Sequence, residues 1–177
     1  MTIPYATWQD RQRFGYYVLV RAWLESLSAQ HVTVRDSSVL DVGCLDTPTA
    51  TWGWFGRRYT VDVAHDPRLP GVQSFIDDFM TWEPPHHMTV VTCLQVLEHL
   101  PNGVVHDFAY KLRHTANYTI VSVPFLWKKG FEPSHTQDPI DLAKISDIMQ
   151  GEPTEHAIIK DTKHLRLVGL WQNNLIP

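Results

Sequence analysis

The chain has 177 residues with a formal net charge of −4 and no basic run, so the electrostatic footprint that nucleic-acid binding requires is missing. Its hydrophobic fraction of 44% suits one globular domain, and no apolar stretch approaches the roughly 18 residues of a membrane span. No signal peptide is predicted, and Cys44 and Cys93 have no neighbours at metal-ligand spacing. We therefore expect a cytoplasmic protein without disulfides.

Helical and strand patterns alternate along the chain. Apolar residues at three- and four-residue steps predict a helix over roughly 7–28, and Thr7 to Asp10 has the pattern of its capping box. A second helix is predicted over 102–114. Short apolar runs predict five strands, at 38–44, 59–64, 72–76, 88–94 and 118–123.

The remaining elements are predicted from turn and capping residues. Thr47 before a proline predicts a short helix start, and Asp138 before Pro139 predicts the cap of a helix that ends at Gly151. Two last strands are predicted at about 155–160 and 165–171. Together the elements predict an α/β fold with a doubly wound, mostly parallel seven-stranded sheet and an antiparallel C-terminal strand.

Two motifs follow strands of this sheet: Val39-Leu40-Asp41-Val42-Gly43-Cys44 and Cys93-Leu94-Gln95-Val96-Leu97-Glu98-His99-Leu100. The first resembles motif I of the class I S-adenosylmethionine-dependent methyltransferases. The second resembles the segment after the fourth strand in the branch that carries Leu-Glu-His there. The resemblance covers roughly 36–125 and implies a Rossmann-like methyltransferase with S-adenosylmethionine as its cofactor.

By this resemblance, the loop after the first strand holds the methionine part of the cofactor through Asp41, Gly43 and Cys44. A glycine after a parallel strand lets the backbone approach a ligand, because no Cβ intrudes. A plain strand-ending turn is the alternative for Gly43. Family members continue with two further glycines where this chain has Leu45 and Thr47, so the path of the loop stays open.

The resemblance also implies residues for the rest of the cofactor. Asp62, near the end of the second strand, would accept both ribose hydroxyls; a cap or a surface acid is the alternative. Asp78 with Phe79 would hold the adenine, with Asp77 as the alternative in register. Gln95 would lie beside the reactive methyl group.

His135 and His99 are the catalytic candidates, because methyl transfer to a hydroxyl needs a group that removes a proton. We expect a helix starting at Asp138 to keep His135 neutral; a loop histidine bonded to Asp138 is the alternative. For His99 the alternative is a structural role in fixing a loop. His135 with Glu132 or Asp138 could bind magnesium, but we predict no metal.

Aromatic side chains are predicted to shape an apolar acceptor pocket, with Phe125 and Trp127 best placed for it. Tyr16 lies off the apolar stripe of the first helix, which indicates a lid; core packing is the alternative.

We predict one domain over 1–177, with 1–30 as an N-terminal helix or lid and 36–177 as the cofactor-binding core. The expected function is methylation of a small molecule, by O-methylation of a hydroxyl. N-methylation and an inactive scaffold subunit are the alternatives. We expect a small-molecule acceptor, no nucleic acid and no membrane as partners, with a homodimer left open.

Overall fold

The structure is a computed structural model that describes residues 13–30, 36–161 and 164–173. Its seven strands form one sheet in the order β3-β2-β1-β4-β5-β7-β6. The strands are β1 (Ser38–Val42), β2 (Arg57–Asp62), β3 (Gln73–Ile76), β4 (Met88–Leu94), β5 (Ala116–Pro124), β6 (Glu155–Asp161) and β7 (His164–Gln172). The first five pair in parallel, and β7 is antiparallel to both β5 and β6. The predicted fold class is confirmed.

The central strands are buried from end to end, as their apolar and β-branched residues require. Every residue of β1 and β4 is buried, because helices cover both faces of the sheet. These two strands pair directly, with Val39 opposite Val90 and Val42 opposite Cys93. The strand order reverses at this pair, which is the point where doubly wound sheets bind ligands.

Three helices cover the sheet among the described residues: α1 (Gly15–Ala29), α2 (Asn102–Thr115) and α3 (Leu142–Ile148). On one face, α1 contributes Tyr17, Val20, Leu24 and Leu27 to a buried cluster with residues of β1, β4 and β7. On the other face, α2 and α3 pack against the same strands. The chain after β1 forms only a single 3₁₀ turn, Thr49–Thr51, in agreement with the short helix start predicted there.

Helix α1 begins later than the predicted residue 7. Residues 13 and 14 lie in a turn and a bend, and the N-cap residue Phe14 makes no side-chain cap. The backbone N–H of Gly15 instead donates to Asp161 Oδ1 over 2.6 Å, so a residue from β6 supplies the cap. The capping box predicted from Thr7 to Asp10 lies outside the described residues.

The helix predicted to start at Asp138 starts three residues further on, which corrects that expectation. Asp141 is the N-cap of α3, and its Oδ1 accepts from the N–H of Lys144 over 2.8 Å. Asp138 is buried, and its Oδ2 lies 2.8 Å from Nδ1 of His135. Because the carboxylate of Asp138 is hydrogen-bonded to His135, Asp138 caps no helix.

Within the described ranges, no helix is both long and apolar enough to cross a bilayer.

Candidate active site

A cavity of about 410 Å³ opens beyond the carboxyl ends of β1 and β4. Its position at the reversal of strand order is the one expected for a ligand site in this type of sheet. Six of the nine predicted site residues line it: Asp41, Gly43, Cys44, Gln95, His99 and His135. The other three, Asp62, Asp78 and Phe79, are not among its lining residues.

Asp41 forms the buried floor of the cavity. The hydroxyl of Thr92 donates to its Oδ1 over 2.7 Å, and that of Thr47 donates to its Oδ2 over 3.3 Å. Burial raises the pKa of Asp41 to about 7, although both hydroxyls act in the opposite direction. The floor is therefore a carboxyl group balanced between its two protonation states near neutral pH.

The loop after β1 turns through two left-handed residues. Gly43 has a φ of 70°, and a Cβ there would overlap Cγ2 of Val96. Leu45 has a φ of 47°, a conformation that a glycine adopts at less cost. Its backbone N–H donates to Asp62 Oδ2 over 3.0 Å, which holds the turn. The loop thus forms a tight turn although it lacks the two further glycines that family members have there.

Thr47 and Cys44, on either side of Leu45 in this loop, have structural roles. The Thr47 hydroxyl donates to the carbonyl of Cys44 over 2.8 Å. Burial, and then the charges of Asp41 and Asp62, raise the pKa of the Cys44 thiol. A thiol with a raised pKa is a poor nucleophile, so Cys44 acts as a small apolar wall of the cavity.

Asp62 joins the loops that follow β1 and β2. Besides Leu45, the backbone N–H groups of Ala64 and His65 donate to its carboxylate, over 2.9 and 3.0 Å. Three of its roughly four acceptor positions are therefore occupied. The ribose contact of Asp62 stays a prediction.

The residues predicted to hold adenine lie to the side of the cavity. Asp78 is exposed, and its Oδ1 accepts from the N–H of Met80 over 2.9 Å. The ring of Phe79 is buried against Phe108, with 5.1 Å between centroids. The backbone N–H of Asp77 donates to the carbonyl of Asp62 over 3.0 Å, so this segment lies next to the loop after β2. The adenine contacts stay predictions.

Gln95 occupies the end of β4 in a left-handed conformation with a φ of 59°. Its backbone N–H and its Nε2 donate to the carbonyl and the hydroxyl of Ser122, over 2.8 and 3.0 Å. These two bonds fix its side chain at the cavity wall.

Glu98, His99 and His135 form the polar end of the cavity. Glu98 is only 1% exposed, and burial raises its pKa to about 8. Burial, and then the charge of His135, lower the pKa of His99, whose Nδ1 lies 3.3 Å from the carbonyl of Ser134. His135 bonds to Asp138, as its alternative interpretation expects, and its catalytic role stays a prediction. The two imidazole rings lie 4.8 Å apart at their centroids.

Arg166 and two aromatic residues complete the wall. The guanidinium of Arg166 lies 4.5 Å from the ring centroid of Trp127 and 5.9 Å from that of Tyr16. Tyr16 is 2% exposed, so it both packs in the core and lines the cavity. Trp127 lines the cavity as predicted, whereas Phe125 packs beneath it against the core.

Sequence reasoning assigned no role of their own to Glu98 and Arg166. Glu98 follows the apolar pair Val96-Leu97 and lies two residues before Leu100, and Arg166 is the only charged residue inside the predicted strand 165–171. A charge enclosed in an apolar run is costly to bury without a purpose. That pattern was the available signal for both residues.

Comparison with solved structures identifies the fold. The N-methyltransferase NodS from Bradyrhizobium japonicum WM9, in complex with S-adenosyl-L-homocysteine, superposes with a TM-score of 0.69 at 11% identity, over 93% of this chain and 90% of that one. Magnesium protoporphyrin IX methyltransferase (ChlM) from Synechocystis PCC 6803, with bound S-adenosylmethionine, gives 0.66 at 17% identity, over 96% and 85%. The chain has the class I methyltransferase fold.

A third methyltransferase of this fold was solved with a small-molecule substrate. The Burkholderia thailandensis 1,6-didemethyltoxoflavin-N1-methyltransferase, with bound 1,6-didemethyltoxoflavin and S-adenosylhomocysteine, has a TM-score of 0.65 at 11% identity, over 98% of this chain and 93% of that one. No family model matches the sequence. A search of curated proteins also finds no match.

Proposed function

We propose that this protein is an S-adenosylmethionine-dependent methyltransferase that methylates a hydroxyl group of a small molecule. The observation that carries the proposal is the cavity at the reversal of strand order, with a buried acid and a tight glycine turn at one end and two histidines at the other. The solved structures with the same fold that contain S-adenosylmethionine or S-adenosylhomocysteine support the choice of cofactor.

The residues of the first loop fit such a cofactor. Gly43 leaves space that a Cβ would fill, and Asp41 offers a carboxylate to the cationic amino group of a methionine moiety. Gln95 borders the same cavity. When bound, the cofactor supplies an electrophilic methyl group on a sulfonium. Asp62, Asp78 and Phe79 are proposed to bind its ribose and adenine from the neighbouring loops.

The polar end fits an acceptor that must lose a proton. Nδ1 of His135 bonds to the Asp138 carboxylate and Nδ1 of His99 faces a carbonyl, so Nε2 is the nitrogen of each ring that is available to accept a proton. Both histidines therefore promote loss of the proton of the acceptor hydroxyl. Trp127 and Tyr16 align the acceptor with the methyl group, since alignment supplies much of the rate in a direct displacement.

N-methylation and an inactive scaffold are the competing functions. An amine acceptor needs less help with its proton, so the pair of histidines favours a hydroxyl. A scaffold that had lost its cofactor would have no reason to keep Leu45 in the costly left-handed turn. Cytoplasmic localisation and homodimer formation stay predictions.

Transfer of a labelled methyl group tests this proposal. The full chain is incubated with S-adenosylmethionine carrying a deuterated methyl group and with panels of hydroxyl-bearing and amine-bearing metabolites, followed by mass spectrometry. We expect label in an O-methyl product, and a loss of about 100-fold or more in rate for His135→Ala, within the range for general acid–base groups. His156→Ala, on the exposed surface of β6, is the matched control.

Three outcomes would contradict the proposal in different parts. Label only in N-methyl products would favour the amine alternative. An unchanged rate in His135→Ala would remove that residue from catalysis. Cofactor binding without labelled product in any panel would favour the scaffold.

A further inference from the structure

Three side chains of the types that bind metals converge at the polar end of the cavity. Glu98 and His99 lie in the 3₁₀ turn Leu97–His99 after β4, and His135 lies in the loop after β5. One ligand atom from each lies within 4.8 Å of the others. We propose that Glu98, His99 and His135 bind a divalent first-row transition-metal ion.

Hydrogen bonds set both imidazoles in the tautomer that a ligand needs. The carbonyl of Ser134 can only accept, so Nδ1 of His99 carries the hydrogen. The Asp138 carboxylate accepts from Nδ1 of His135 in the same way, over 2.8 Å. The lone pair of each ring is therefore on Nε2. A histidine oriented by a carboxylate or a carbonyl is the usual arrangement around protein-bound metals.

Glu98 supplies the oxygen ligand. Its side chain lines the cavity although the residue is only 1% exposed. Within the described part of the chain its Oε2 is buried without a hydrogen-bond partner. A buried carboxylate oxygen with no partner is costly, and a bound cation removes that cost.

The two segments that carry the ligands are held together by the backbone. The N–H groups of Thr136 and Gln137 donate to the carbonyl of Glu98, over 2.8 and 3.2 Å. Nε2 of Gln137 also donates to the carbonyl of Leu100 over 2.7 Å. The loop that carries His135 is thus fixed against the turn that carries Glu98, which holds the three ligand atoms within 4.8 Å of one another.

The charges and the donor atoms select the ion. Glu132 and Asp138 add two carboxylates near the cluster, and the charge of Arg166 acts on Glu98. Two imidazole nitrogens and one carboxylate oxygen suit Zn²⁺, Mn²⁺, Fe²⁺ or Co²⁺, whereas Mg²⁺ and Ca²⁺ prefer oxygen ligands alone.

The role of the ion in catalysis rests on the proposed function. Three protein ligands leave coordination positions open for a hydroxyl of the acceptor. Binding of that hydroxyl to the ion lowers its pKa and favours its loss of a proton, as for water on catalytic metals. With both Nε2 atoms bound to the ion, the histidines act as ligands and not as proton acceptors, and the proton of the hydroxyl passes to solvent water.

Titration of metal-free protein with Co²⁺ and Mn²⁺ tests the site without any measurement of activity. We expect one equivalent to bind, seen by calorimetry and, for Co²⁺, by visible absorption of its d–d bands. Glu98→Gln and His135→Ala should each weaken binding by about tenfold or more, and Asp138→Asn by about tenfold through the orientation of His135. His156→Ala should bind as the wild type does. Circular dichroism identifies any variant that fails to fold, and His99→Ala, at an exposed position, is then used in place of that variant.

The proposal is overturned if folded wild-type protein binds neither ion, or if Glu98→Gln and His135→Ala bind as tightly as the wild type. Titration of the same samples with S-adenosylhomocysteine separates this result from the proposed function. Metal binding without cofactor binding would leave the site in place and remove the methyltransferase function. Cofactor binding without metal binding would leave the methyltransferase function in place and remove the metal site.

Discussion

Asp41 shows how one residue can be set by packing and by polar neighbours at the same time. Its neighbours on β1, Leu40 and Val42, are apolar, and the sheet buries it at the cavity floor. Thr92 and Thr47 provide hydrogen bonds that make burial tolerable. The charge of Asp62 also raises the pKa of Asp41.

Replacing Asp41 by Asn should change how stability depends on pH. Because the pKa of Asp41 is raised to about 7, the folded protein keeps a proton that the unfolded chain releases near pH 4. The stability that this proton provides is full below about pH 4 and is lost as pH rises to about 7. The free energy of unfolding of wild type relative to Asp41→Asn should therefore fall by about 2–3 kcal/mol from pH 5 to pH 8.

Urea denaturation at both pH values measures this difference. Glu98, whose pKa is also raised, is present in both proteins, so its contribution cancels. A difference between the two proteins that is independent of pH would show that Asp41 is ionised throughout.

The sequence predicts those site residues that follow a strand in the chain. Asp41, Gly43, Gln95 and His135 each come at or after the end of a strand, and the sheet brings those ends together. The prediction that Asp138 caps a helix was wrong. The local sequence pattern favours a cap, but the loop conformation brings the Asp138 carboxylate to His135 instead. Arg166 reaches the cavity from β7, an antiparallel strand that enters from the opposite direction, which strand-end reasoning does not cover.

At the scale of elements, the start of α1 depends on a residue from the far end of the chain. Asp161 on β6 is 7% exposed and accepts from the N–H of Gly15. A side chain at position 15 is excluded, because its Cβ would lie 2.8 Å from Cγ2 of Ile159. Strand and helix types follow from local periodicity, but this helix boundary is set by a contact across 146 positions.

Removal of this cap should loosen the start of α1. Asp161→Ala leaves the N–H of Gly15 without its acceptor, so we expect a loss of about 1–2 kcal/mol in the free energy of unfolding, as for other lost N-caps. Hydrogen exchange should accelerate in the first turn of α1. Asp107→Ala, an exposed acid on α2, is the control and should change neither quantity. Unchanged exchange in Asp161→Ala would mean that packing alone fixes the start of α1.

At the scale of the whole molecule, the order of patterns along the chain was enough to predict the sheet. Strand lengths and hydrophobic runs gave seven strands, and the short connection from β6 to β7 required an antiparallel pair. The shape of the cavity could not be predicted, because it depends on left-handed turns at Leu45 and Gln95 that neither residue type favours.

The most direct test of the account is calorimetric titration of the full chain with S-adenosylhomocysteine. We expect one site of micromolar affinity in the wild type, and loss of binding in Gly43→Ala, since the added Cβ meets Val96 beside the cavity. Gly71→Ala is the matched control, because Gly71 has a φ of 72° but open space around it. Folded wild-type protein that does not bind, or Gly43→Ala that binds as the wild type does, would contradict the claim that this cavity holds the cofactor.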